Sequence, residues 1–143
     1  MVKGGCYCGL VRYEAADEPF HETNCHCSIC RRTTGAPFVA WFSVRRPAFR
    51  FVTGTPTEFG STAKGKRKFC PRCGTQLTFE HEDFPDEIDV NICSLDDPNG
   101  TPPKSHLYTS SKLDWVLLAD GLPEHRENSG SGEGGPWSRM RLD

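Results

Sequence analysis

No stretch of the 143-residue chain approaches the ~18 consecutive apolar residues that a membrane-spanning helix requires. The opening MVKGGCYCGLVRY likewise lacks an apolar segment of the kind that exports a protein. These absences predict a cytoplasmic protein with no membrane partner. A basic excess is missing as well: 17 Lys and Arg stand against 19 Asp and Glu, a net charge of −2, which predicts no nucleic-acid partner. Helical periodicity is nearly absent too, and that excludes an all-helical fold.

Short segments of β-branched and aromatic residues take the place of helices: LVRYEA, FVAWFSV, AFRFVT, QLTFEHE and DEIDVNIC, parted by Gly, Pro, Asp or Thr clusters. In EIDVNIC, Ile88, Val90 and Ile92 alternate with Asp89, Asn91 and Cys93, the period of a half-buried strand. The spacing predicts a mostly β, largely antiparallel protein. SKLDWVLLADGLPEH is compatible with a turn of helix or a last strand around Trp115 to Leu118. One core suffices for a chain of this length, so residues 1–127 are expected to form a single domain. The Gly- and Ser-rich residues 128–143 read as a flexible tail.

Cysteine is abundant, with eight in the chain. In a reducing compartment clustered thiols more often bind metal or do catalysis than form disulfides. GGCYCG holds Cys6 and Cys8, KFCPRCG holds Cys70 and Cys73, and a Gly follows each pair. Such a Gly permits the positive φ that turns backbone N–H groups toward thiolate sulfurs. Together the pairs supply four sulfurs, the closed tetrahedral set of a structural zinc. The competing reading of CPRC, a redox dithiol at a helix N-terminus, meets the strand-like GTQLTFE that follows and leaves the upstream pair without a role.

NCHCSICRRTTGAPF adds Cys25, Cys27 and Cys30 within six positions. These three do not share a helical face, so a turning loop is expected to aim them inward. Three thiolates leave a fourth place on a zinc for water or substrate, as catalytic sites do. Closure by Cys93 or His26 is the alternative, although His26 has a ligand on either side and Cys93 also reads as a small buried hydrophobe. A zinc with three thiolates is formally −1 and wants a nearby cation. Arg31 and Arg32 follow directly, and KGKRK (64–68) reads mainly as a solvated hairpin loop, with one or two members free to face the site.

The order GGCYCGLVRY, CHCSICRRTTGAPF, FCPRCGTQL and SSKLDWVLLADGLPEH resembles the glutathione-dependent formaldehyde-activating enzyme family, also called the centromere protein V family, over roughly residues 4–125. The resemblance implies a zinc-pinned fold of several coiled antiparallel β-sheets, described as a β-tent. It implies two Zn2+ per chain: a structural zinc at Cys6, Cys8, Cys70 and Cys73, and a catalytic-type zinc at Cys25, Cys27 and Cys30. The implied activity joins glutathione to formaldehyde, giving S-hydroxymethylglutathione, which is carbon–sulfur lyase chemistry. The implied partners are a small thiol and an aldehyde. Two other classes stay open on the residues themselves: an interaction module with both metals structural, and a zinc-pinned reductase of the methionine sulfoxide type with Cys93 as its reactive thiol.

Overall fold

The structure is a computed structural model that describes residues 1–127. The expected tail, residues 128–143, lies outside them. Ten strands make two sheets. β1 (Val2–Gly5), β2 (Arg12–Ala15) and β5 (Phe49–Thr53) form the smaller, in the order β1-β2-β5. The larger has the order β10-β3-β4-β9-β8-β7-β6, from β3 (Phe20–Cys25), β4 (Val39–Arg45), β6 (Thr57–Gly60), β7 (Gly65–Phe69), β8 (Gln76–His81), β9 (Glu87–Asn91) and β10 (His106–Leu107). Among the described residues a single α-helix, α1 (Ser28–Thr34), joins β3 to β4. The expected mostly β, single-domain architecture is therefore what the chain forms. Among the described residues all pairings between these strands are antiparallel except β10 with β3, which is parallel.

β4 is the strand on which both cores depend, because it is buried on both faces. Phe42 and Val44 lie opposite Val90 and Ile88 of β9 and join Tyr13, Ala15, Phe49 and Leu77 in the core that also takes in Cys6 and Cys70. Val39 and Trp41 join Phe79, Leu107 and Tyr108 in a second core, and this one takes in Cys25, Cys27 and Cys30. At Gly4 a Cβ would lie 2.4 Å from both the Ser94 carbonyl oxygen and the Tyr13 hydroxyl, so only glycine lets β1 close on the turn after β9.

Several details depart from the expectations. The DEIDVNIC strand ends at Asn91, and Ile92–Ser94 turn into a 3₁₀ helix that leaves Cys93 exposed rather than packed as a small hydrophobe. Residues 112–123 carry neither strand nor α-helix; one turn closes where the Val116 N–H donates to the Leu113 carbonyl. Trp115 and Leu117 are exposed. KGKRK is mostly strand β7 rather than loop. No helix among the described residues is long and apolar enough to cross a membrane.

Asp89 departs most. Alternation put it on a solvated face, yet it is buried, because the second core covers that face of β4 and β9. Paired residues run across the larger sheet as one row: Phe59, Arg67, Phe79, Asp89 and Ser43. The Ser43 hydroxyl donates to Asp89 at 2.5 Å, but burial dominates and pushes the carboxyl up to about 8. The folded chain thus keeps a proton that the unfolded chain releases near pH 4. Stability from this group is whole below that pH and is lost as pH rises toward 8. Relative to Asp89→Asn, the parent is expected to lose stability over that window, on the order of a few kcal/mol. Urea melts of both chains between pH 4 and 9 test this, and parallel curves would refute it.

Candidate functional site

The four knuckle cysteines converge from two loops. Cys6 and Cys8 follow β1, and Cys70 and Cys73 sit between β7 and β8. Their sulfurs all lie within 4.8 Å of one another, with Cys6 to Cys8 at 3.6 Å and Cys8 to Cys70 at 3.7 Å. A tetrahedral zinc with Zn–S bonds of ~2.3 Å needs sulfurs about 3.8 Å apart, so the donor set fits that ion. Gly9 and Gly74 take φ of +82° and +78°, as each tight turn requires. The Val11 N–H donates to Cys6 Sγ at 3.2 Å, and those of Arg72 and Cys73 donate to Cys70 Sγ at 3.4 Å each. The Arg72 guanidinium reaches Cys8 Sγ at 3.3 Å. The Leu10 backbone N–H and Arg72 hold the Cys8 thiol below its ordinary value, and bonds from Thr75 bring Cys73 down to about 5.

The second group is built differently from the expected loop. Cys25 ends β3, Cys27 is the N-cap of α1, and Cys30 lies in its first turn. The helix forms because the Cys27 sulfur accepts the Cys30 N–H at 3.2 Å and Gly35, with φ of +68°, closes the other end on the Arg31 carbonyl. A strand end and a helix start thereby aim three sulfurs inward, within 4.8 Å of one another and all buried. Three soft donors at that separation suit a thiophilic ion such as zinc. Burial raises the Cys25 thiol well above its ordinary value. Cys30 is drawn well below it by hydrogen bonds from Cys25 and Cys27 and by the Arg67 charge.

Neither alternative fourth ligand joins the group. Cys93 is exposed and elsewhere, and His26 turns its ring away, with Nε2 2.9 Å from His106 Nδ1. His106 Nε2 lies 2.8 Å from Asp120, so three side chains link the cysteine segment to the surface loop before Gly121. His106 therefore meets His26 through Nδ1 and the Asp120 carboxylate through Nε2. Burial lowers His26 to about 4, and its Nδ1 has no partner among the described residues.

The cation at this group is neither Arg31, which donates to the Ser111 carbonyl at 3.3 Å, nor the exposed Arg32. It is Arg67, only 1% exposed, whose Nη2 lies 3.6 Å from Cys30 Sγ and whose Nε donates to Ser61 Oγ at 3.1 Å. Its guanidinium carbon stands 4.7 Å from the Phe79 ring centroid and 5.9 Å from that of Trp41. Sequence reasoning reached Arg67 only as one of five residues of a basic run. It missed His106 and Asp120 altogether and read Asp89 only as a strand's solvated position, since nothing in their spacing signals a long-range partner.

A mostly β domain carrying one four-thiol and one three-thiol group is a narrow class, and comparison with known proteins identifies it. The family model for glutathione-dependent formaldehyde-activating enzyme matches residues 1–111, and the chain belongs to that family. It is similar to a protein of Halomonas elongata named "Putative glutathione-dependent formaldehyde-activating enzyme", with 29% identity over 128 residues, 82% of this chain and 81% of that one. It is also similar to an uncharacterized lyase of Schizosaccharomyces pombe, 29% identical over 79 residues, 55% of this chain and 57% of that protein. Among solved structures, a Rhodobacter sphaeroides protein matches with a TM-score of 0.52 and 26% identity over 86% of this chain and 98% of that one.

The two groups are expected to separate by mutation. The four-thiol group ties together loops 62 residues apart, as Cys8 and Cys70 show, whereas the three-thiol group is local. A structural zinc contributes on the order of 10 kcal/mol of folding free energy in small domains. Cys73→Ser should therefore unfold or aggregate the zinc-loaded protein, and Cys27→Ser should stay folded with one zinc fewer. Equal melting temperatures for the two variants would contradict this division.

Proposed function

We propose that the chain is a zinc-dependent carbon–sulfur lyase of the glutathione-dependent formaldehyde-activating type, adding a thiol such as glutathione to a small aldehyde at the three-cysteine group. The observation that carries the proposal is a buried set of three sulfurs that no fourth Cys, His, Asp or Glu completes among the described residues. A zinc held there supplies Lewis acidity and lowers the pKa of a thiol that joins it. Cys6, Cys8, Cys70 and Cys73 hold the second, structural zinc. All eight cysteines are free, which fits a reducing compartment such as the cytoplasm.

The chain's own residues divide the remaining work. Cys25, Cys27 and Cys30 hold the ion, and Arg67 offsets the negative charge that three thiolates leave on the group. His106, itself held by Asp120, grips His26 and so fixes the backbone between two ligands. Trp41, Phe79, Leu107 and Tyr108 wall the group in apolar surroundings, where charge–charge attraction is stronger than in water.

Cobalt substitution tests the proposal, because the visible spectrum of cobalt reports how many thiolates surround it. Glutathione is expected to shift the spectrum of the cobalt-loaded protein, and Cys27→Ser is expected to abolish the shift with the loss of that metal. A spectrum showing four protein thiolates at both groups, and unmoved by any small thiol, would refute the lyase and favour an interaction module.

A further inference from the structure

Arg67 has a second neighbourhood. With Thr33, Phe59, Phe69 and Gln76 it lines a cavity of about 270 Å³ between α1 and the β6–β7–β8 end of the larger sheet. Thr33 lies one helical turn past Cys30, and Phe59 faces Arg67 across the β6–β7 ladder. Two aromatic side chains thus share a cavity with a buried arginine, one amide and one hydroxyl. Phe59 is 56% exposed, unusual for so large an apolar side chain and expected at the mouth of a binding pocket.

The guanidinium itself is incompletely paired. Nε and Nη2 have partners in Ser61 and Cys30, but Nη1 has none among the described residues, although the side chain is sealed from water. A buried N–H without an acceptor is costly, and an oxygen atom brought in by a guest relieves it. Nη1 belongs to the same planar, rigid fork as the Nη2 that meets Cys30 Sγ at 3.6 Å, so an oxygen held on it is tied to the cysteine group through one side chain.

We propose that this cavity binds carbonyl compounds with an apolar or aromatic body, the oxygen accepting from Arg67 and the body lying against Phe59 and Phe69. On the addition reading above, on which this part rests, it is the pocket for the aldehyde's substituent. The volume corresponds to roughly nine water molecules, which is enough to admit benzaldehyde, and formaldehyde would leave most of it unfilled. The step balances without an oxidant: the thiol sulfur forms the C–S bond, the carbonyl π pair moves onto oxygen, and the thiol proton ends on that oxygen as a hemithioacetal. The Arg67 N–H stabilises the charge that gathers on oxygen during the step.

Acetophenone, an aromatic carbonyl compound that adds thiols poorly, is the probe. Titrated into the full-length zinc-loaded protein, it is expected to shift the NMR resonances of the Phe59 and Phe69 rings and of the Gln76 side-chain amide. Ethylbenzene, which lacks the acceptor, should bind about fivefold more weakly, the worth of one hydrogen bond. Phe59→Ala, a change at an exposed ring, should weaken acetophenone by a similar factor without loss of zinc. Shifts confined to other residues, or equal affinity in parent and Phe59→Ala, would overturn the proposal. A second measurement, the exchange rate of glutathione with benzaldehyde and with formaldehyde, separates the two claims. Acetophenone binding without acceleration of either aldehyde keeps the cavity and removes the lyase, whereas acceleration of formaldehyde without acetophenone binding keeps the lyase and removes the cavity.

Discussion

A guanidinium sealed from water must find its counter-charge inside the protein, and Arg67 finds it at the sulfur of Cys30. The desolvation penalty is several kcal/mol per ion, so neither member can be buried without the other. The surrounding architecture serves that pair. Phe79 and Trp41 present ring faces to the cation, Ser61 takes one of its hydrogens, and β7 is held between β6 and β8 so that Arg67 points inward. Asp89 lies two positions along the same row and bonds to Ser43. Its carboxyl is pushed up to about 8, chiefly by burial, while Cys30 is pulled down by its neighbouring thiols and Arg67.

How much of this was legible depended on how each signal is encoded. Strands written in apolar alternation, such as LVRYEA and FVAWFSV, showed themselves, since burial on one face leaves a period of two. β1, β3 and β7 did not. β1 is half glycine, β3 runs FHETNC, and β7 runs GKRKF, so their pairing rests on backbone hydrogen bonds rather than on side chains that announce it. In β7 the alternation exists but is written in charge: Lys66 is exposed and Arg67 buried, two cations that composition cannot tell apart. Asp89 misled for the complementary reason. Alternation assumes one wet face, and a sheet covered on both faces buries its polar positions as well.

The cysteine groups were legible as sets, because ligand spacing is local, but not as conformations. Three thiols that fail to share a helical face suggested a loop. The chain instead changes element in their midst, placing Cys25 on a strand and Cys30 in a helix. The His26–His106–Asp120 link could not be read at all. It exists because β10, eighty residues downstream, lies parallel to the end of β3, with Leu107 opposite Cys25. Parallel pairing at such distance leaves no turn signature in the sequence.

The two thiol groups differ in how their sulfurs are compensated. The first carries its compensation at the rim: backbone N–H groups and Arg72 meet the sulfurs of Cys6, Cys8 and Cys70, and Cys73 is solvent-exposed. Each sulfur is stabilised from outside the set, and four donors leave an ion nothing further to bind. The second lies wholly buried, meets one cation rather than several local donors, and borders a cavity through that same cation. Such a group is held by its neighbours in geometry but not satisfied by them in charge or coordination. That combination, rigid placement with unfinished bonding, is what the proposed addition would draw on, since a partner could join the group without the group reorganising around it.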